Sequence, residues 1–314
     1  MTLTYFCRSL SRICRLLIIA SLGIFAGCRS IPPEYSSSAI DEAIMPDFRR
    51  EIDLKFSRLF ESGKLTAPEQ LLKDLPEQTS LNLTGRPLRR PKKGNALYNH
   101  IRESTVMVGA LHECRNPDCP VKVHFTGGAG VFITDDGVVA TNYHVIKETD
   151  RLGYGIATRN GECYPVTEVL AVSKDIDIAI LKTTAVNTPP LPLVPYSPPG
   201  TPVIAVGHPN RLFYVYSEGA VTGYFPRRLQ QQPRSEEDNG QSNAPFSMGI
   251  SADFAKGSSG GPVVDHFGRI TGLAQSTRPV YHIEKEDERE LLQMVHKLCV
   301  PAHHILEITG NLKK

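Results

Sequence analysis

Three segments of this 314-residue chain carry residue types suited to acyl transfer. The run Gly257-Ser258-Ser259-Gly260-Gly261-Pro262 puts a serine in a glycine-rich bend. There the backbone takes conformations that a Cβ forbids, and a hydroxyl and backbone N–H groups face one point. A serine hydroxyl is a poor nucleophile and needs a neighbouring base. His144, in Thr141-Asn142-Tyr143-His144-Val145, supplies an imidazole, which changes charge near neutral pH and can take and return a proton. A carboxylate must then fix the imidazole tautomer. Asp175 and Asp177 both offer one; on a strand they point to the same face, so alternation alone does not separate them.

The order His, Asp, Ser and its flanks resemble the trypsin-like serine proteases, in particular the HtrA-like bacterial branch. The likeness runs over about residues 100 to 305. It includes Gly-Ala-Gly-Val-Phe-Ile at 128–133, Ala205-Val206-Gly207-His208-Pro209, and Glu218-Gly219-Ala220-Val221-Thr222-Gly223. The resemblance implies an all-β fold of two Greek-key antiparallel β-barrels, chymotrypsin/trypsin-like, with a C-terminal helix and an N-terminal helical extension. The protease domain would span 96–312, with one barrel at about 100–188 and the second at about 200–305. The resemblance also chooses Asp177, which precedes Ile178-Ala179, as partner of His144 and Ser259. It assigns the backbone N–H groups of Gly257 and Ser259 to the oxyanion hole, with Ser258 where asparagine or aspartate is common. Asp253, six residues before Ser259, falls at the floor of the S1 pocket, where a carboxylate would pair with Lys or Arg at P1; HtrA-like members usually have a small residue there. The implied activity is that of a cofactor-free serine endopeptidase acting on proteins or peptides. Two rival readings are a catalytically silent binding lipoprotein on a protease scaffold and a scaffold activated by a partner. HtrA-like enzymes usually continue into a PDZ domain, and the short stretch after Thr277 leaves no room for one.

Residues 1–27 read as an export signal. Arg8, Arg12 and Arg15 precede an apolar stretch, Leu16 to Ala26, too short to span a bilayer. Phe25-Ala26-Gly27-Cys28 resembles a lipoprotein cleavage site with Cys28 as the acylated residue, which implies a lipid-anchored protein of the bacterial envelope facing the periplasm. The formal charge of +2 gives no basic surplus for nucleic acid, and nothing in the sequence indicates an oligomer. Export brings oxidising conditions. Cys114 and Cys119 bracket Arg-Asn-Pro-Asp, a turn sequence, so a disulfide-closed hairpin tip is expected. His112 and His124 flank them and raise a metal reading, but no second close cysteine pair accompanies them, and no metal site is expected. Cys163 and Cys299 remain as a leftover pair or as buried thiols.

The elements that must position these residues are legible as texture. Residues 28–39 read as a tether, and 40–95 as a helical extension followed by a linker from 79. Ile40, Ile44, Phe48, Ile52, Phe56 and Leu59 recur at helical spacing, which predicts a helix to about residue 62 with Gly63 at its end. A second short helix is expected with Thr66 as N-cap and Glu69 three residues on. Such helices would cap the barrels or dock a partner. Strands are predicted at 105–111, 129–134, 138–142, 166–172 and 176–183, with Asp135-Asp136-Gly137 as a hairpin turn. A second set is predicted at 203–207, 213–222, 246–252, 262–264 and 270–274. The proline-rich stretch from Val186 to Gly200 suits a crossover, Gln230–Asn243 a surface loop, and Leu298–Ile308 a closing strand and terminal helix.

Overall fold

The computed structural model describes residues 47–226 and 245–312, apart from 117, 120, 286 and 287. The export signal, Cys28, the tether, Ile40 and Ile44, and the 230–243 loop lie outside the described residues. Among the described residues twelve strands form two closed antiparallel barrels. The first comprises β1 (Thr105–Glu113), β2 (Val123–Phe132), β3 (Val138–Thr141), β4 (Gly153–Ala157), β5 (Cys163–Ser173) and β6 (Ile178–Thr183) in the order β1-β2-β3-β6-β5-β4. The second comprises β7 (Pro202–Gly207), β8 (Val215–Pro226), β9 (Phe246–Ile250), β10 (Pro262–Asp265), β11 (Ile270–Lys285) and β12 (Glu288–Pro301) in the order β7-β8-β9-β12-β11-β10. The second order is the first shifted by six strands. The barrels therefore share one topology, although no repeat is visible in the sequence. Closure removes sheet edges and gives each barrel its own apolar interior.

Short β-branched strands explain both interiors. Val106, Val108, Phe132, Val139, Ile156, Val169 and Leu181 fill the first, and Val203, Val221, Met248, Ile250, Val263 and Cys299 the second. Residues from Val186 to Gly200 cross between the barrels, tied by Leu191 N–H to Phe132 O at 3.1 Å and by a bridge from Leu193 to Ile270.

Helix α1 (Phe48–Glu61) buries Phe48, Ile52 and Phe56, the stripe expected from spacing, and Gly63 follows it at φ 65°. Phe56 stacks on Phe125 of β2 with ring centroids 4.8 Å apart, so α1 caps the first barrel. The short helix α2 (Pro68–Leu71) starts after Ala67, not at Thr66, and has no side-chain cap; Pro68 supplies the preset φ of a first helical residue instead. Residues 79–93 have no regular element but are held along the second barrel, through Thr79 N–H to Ile308 O, Leu88 N–H to Phe267 O and Lys92 N–H to His266 O. A helix absent from the sequence reading, α3 (Gly94–Ser104), buries Leu97 and Ile101 and runs directly into β1. The terminal helix α4 (Ala302–Ile308) follows β12 as expected. No helix among the described residues is long and apolar enough to cross a membrane.

Candidate active site

His144 sits in a single 3₁₀ turn, Tyr143–Val145, immediately after β3. The strand expected at 176–183 begins only at Ile178, and Lys174–Asp177 form a tight turn between β5 and β6. Asp177 takes φ 67°, a left-handed conformation that aspartate tolerates better than most residues. The shared-face argument for Asp175 and Asp177 therefore does not apply. The turn leaves Asp175 exposed and aims Asp177 at His144. Asp177 Oδ2 lies 2.8 Å from His144 Nδ1, and Oδ1 accepts the His144 backbone N–H at 2.9 Å. Asn142 Nδ2 donates to the Asp177 carbonyl at 2.9 Å, fixing the turn from the other side. Burial alone would raise the Asp177 pKa, but hydrogen bonds from the His144 ring and from Gln275 outweigh it and hold the carboxyl below its ordinary value.

Ser259 is placed by two consecutive turns. Ser258 N–H donates to Ala255 O at 2.9 Å and Gly261 N–H to Ser258 O at 2.9 Å. Gly257 and Gly260 occupy the third position of each turn at φ 101° and 83°, as a type II turn demands. Neither position accepts a Cβ: one on Gly257 would strike His208 O, and one on Gly260 would strike Ala129 O and Thr141 Oγ1. Among the described residues, no acceptor takes the N–H of Gly257 or Ser259, whereas the N–H groups of Ser258, Gly260 and Gly261 are all bonded. Two donors of this bend thus have no acceptor among the described residues, and they are the pair that the resemblance assigns to the oxyanion hole.

The Ser259 carbonyl accepts Ala129 N–H at 2.7 Å, which docks the bend of the second barrel against β2 of the first. The Ser259 hydroxyl donates to Gln275 O at 3.4 Å, and among the described residues no hydrogen bond joins it to His144. The Gln275 side chain in turn donates to Asp177 Oδ2 at 3.0 Å. Gln275, on β11, went unnoticed in the sequence because no local pattern distinguishes it. With it the arrangement runs unbroken from Ser259 through Gln275 and Asp177 to His144.

The Asp253 carboxylate is 87% exposed and lies 3.2 Å from Lys297 Nζ, with which it pairs at the surface. Cys114, Cys119, Cys163 and Cys299 are free thiols. Cys163 lies on β5 and Cys299 on β12, in different barrels, and Cys299 is buried in the second interior. Of the flanking histidines, His112 is turned to Thr126 Oγ1, while His124 approaches Cys119.

Residues 128–273 match the family model of the trypsin-like peptidase domain. The chain is similar to the serine endoprotease DegS of Escherichia coli, 28% identical over 218 residues that make up 65% of this chain and 56% of that protein. It is also similar to the anti-sigma-I factor RsgI9 of Acetivibrio thermocellus, 27% identical over 227 residues, 71% of this chain and 27% of that protein. Among solved structures, a serine endoprotease from Yersinia pestis aligns with a TM-score of 0.47 at 20% identity, covering 71% of this chain and 67% of that one. The chain thus spans little over half of DegS and about a quarter of RsgI9.

Proposed function

We propose that this chain carries a trypsin-like, HtrA-like serine endopeptidase domain, which cleaves exported or envelope polypeptides through Ser259, His144 and Asp177. The single observation that carries the assignment is the contact of His144 Nδ1 with Asp177 Oδ2 at 2.8 Å, beside a serine whose own N–H and that of Gly257 have no acceptor among the described residues. Asp177 accepts a hydrogen bond from Nδ1–H and so leaves the Nε2 lone pair of His144 free to act as base. On substrate binding, Ser259 Oγ leaves Gln275 O and attacks the scissile carbonyl carbon while its proton passes to Nε2. The carbonyl oxygen becomes an oxyanion held between the N–H groups of Gly257 and Ser259. Collapse breaks the C–N bond, with the imidazolium protonating the departing amine. Water then attacks the acyl-enzyme by the same route and restores the hydroxyl. Losing one oxyanion donor typically lowers turnover about 10²–10³-fold.

The proposal includes attachment to the membrane by lipid at Cys28, facing the periplasm, supported by the signal-like Leu16–Ala26 stretch and the Phe25-Ala26-Gly27-Cys28 sequence. Acyl labelling lost in Cys28→Ser supports that anchor; labelling retained refutes it. The test of the activity is casein degradation. Wild-type protein should degrade casein and Ser259→Ala should not; equal degradation by both removes Ser259 from the chemistry.

A further inference from the structure

At the tip of the β1–β2 hairpin, away from the residues assigned to peptide cleavage, Cys114, Cys119 and His124 converge. Their Sγ, Sγ and ring nitrogen atoms all lie within 4.8 Å of one another. Cys114 N–H donates to Lys122 O at 2.8 Å, extending the hairpin ladder, and Cys119 N–H donates to Asn116 O at 3.1 Å. Both thiols are thereby brought to the same end as His124, which lies opposite His112 on β2. His124 Nε2 stands 3.7 Å from Cys119 Sγ.

The other ring nitrogen is committed. His124 Nδ1 donates to Asp53 Oδ2 at 2.9 Å, and Asp53 Oδ1 accepts the Phe125 backbone N–H at 2.8 Å. Asp53 comes from α1 and its side chain is only 7% exposed. A buried carboxylate that receives the Nδ1 proton fixes the tautomer in which Nε2 presents its lone pair to the two sulfurs. This is the outer partner that a metal-binding histidine ordinarily has. A disulfide between the two cysteines would need none of it.

We propose that Cys114, Cys119 and His124 bind one Zn(II) ion, with Asp53 orienting the histidine. Two sulfurs and one imidazole nitrogen are the donor set that zinc favours. With Zn–S of about 2.3 Å and Zn–N of about 2.0 Å in a tetrahedron, sulfur and nitrogen stand roughly 3.5 Å apart, close to the 3.7 Å between Cys119 Sγ and His124 Nε2. On binding, the two thiol protons leave to solvent and two thiolates balance the charge of the ion. Among the described residues no fourth His, Cys, Asp or Glu joins the group, so water completes the shell. Through the Asp53–His124 bond the ion would also fasten α1 to the hairpin.

The test uses the full chain, reduced and freed of metal, titrated with CoCl₂ and ZnCl₂ against a competing chelator. We expect one Co(II) per chain with a thiolate-to-cobalt charge-transfer band and the visible spectrum of tetrahedral Co(II), displaced by one Zn(II). Cys119→Ser and His124→Ala should each abolish the charge-transfer spectrum of the tight 1:1 complex. Cys163→Ser should leave the spectrum intact, and Asp53→Asn should weaken the affinity about 10–100-fold. Far-UV circular dichroism identifies any variant that fails to fold; Cys119→Ser, in the hairpin loop, is the substitution least exposed to that failure. No charge-transfer band in reduced wild-type protein, or a band unchanged in Cys119→Ser, overturns the proposal. So does exported protein isolated with a Cys114–Cys119 disulfide that takes up no metal after reduction.

Discussion

Gln275 joins Ser259 to Asp177: its main-chain carbonyl accepts the Ser259 hydroxyl at 3.4 Å, and its side-chain amide donates to Asp177 Oδ2 at 3.0 Å. The oxygen it reaches is the one that faces His144 Nδ1, so two donors share Oδ2 and hold the carboxylate in line with the imidazole. Gln275 is on this account a positioning residue. A hydrogen bond to a charged group contributes about 1.5–3 kcal/mol, so Gln275→Ala should lower kcat about 10–100-fold with KM little changed. The donor also favours the ionised carboxylate, and its loss raises the Asp177 pKa. The ionised form, present at high pH, is then lost at a higher pH as acid is added. A kcat equal to that of the wild type in Gln275→Ala contradicts the positioning role.

Gly260 and Gly200 have nearly the same φ, 83° and 86°, but different surroundings. A Cβ on Gly260 meets fixed atoms of Ala129 and Thr141, while one on Gly200 meets nothing within 4 Å. Gly200→Ala should therefore cost only the conformational strain, on the order of 1–3 kcal/mol. Gly260→Ala should cost visibly more and abolish casein cleavage. Equal melting temperatures for the two variants contradict the packing described.

Asp253 is exposed and pairs with Lys297 at the surface, so a substrate cation would gain little from it. Asp253→Asn should leave P1 preference in a peptide library unchanged. A loss of cleavage after Lys or Arg in that variant reinstates Asp253 as a specificity residue.

Burial lowers the His208 pKa to about 4, and its Nδ1 accepts Tyr214 N–H at 3.1 Å. An unfolded histidine titrates near 6.5. Between those values the unfolded chain binds a proton that the folded chain refuses, so stability present above pH 6.5 is lost progressively as pH falls toward 4. The full effect is about 3 kcal/mol. His208→Gln should flatten the denaturant midpoint between pH 7 and 4.5; an unaltered slope assigns the acid sensitivity elsewhere.

What the sequence disclosed was whatever depends on local pattern. Phe48, Ile52 and Phe56 announced α1 by spacing, the β-branched runs announced the barrel strands, and Gly257 to Pro262 announced its own turns. What stayed hidden depends on contacts between distant segments or on breaks in pattern. Helix α3 has only two apolar residues, Leu97 and Ile101, on its buried face, behind a stretch rich in proline and glycine. Strand β4 contains Gly153 and Gly155, the latter packed under Phe56. The β11–β12 ribbon runs past its apolar start into charged residues that offer no alternation to read. Asp177 looked like a strand residue because its neighbours are apolar, yet a tight turn with left-handed backbone points it at His144. Asp53 and His124 are 71 positions apart, and no local rule joins them.

The account rests on Ser259 being a nucleophile activated by His144. Reaction of the full chain with a fluorophosphonate probe at neutral pH, followed by peptide mapping, tests this most directly. Wild-type protein should carry the adduct on Ser259, and His144→Ala should label at a rate lower by at least about a thousandfold. Wild-type protein that takes up no probe, or labelling of Ser259 that is equally fast without His144, contradicts it.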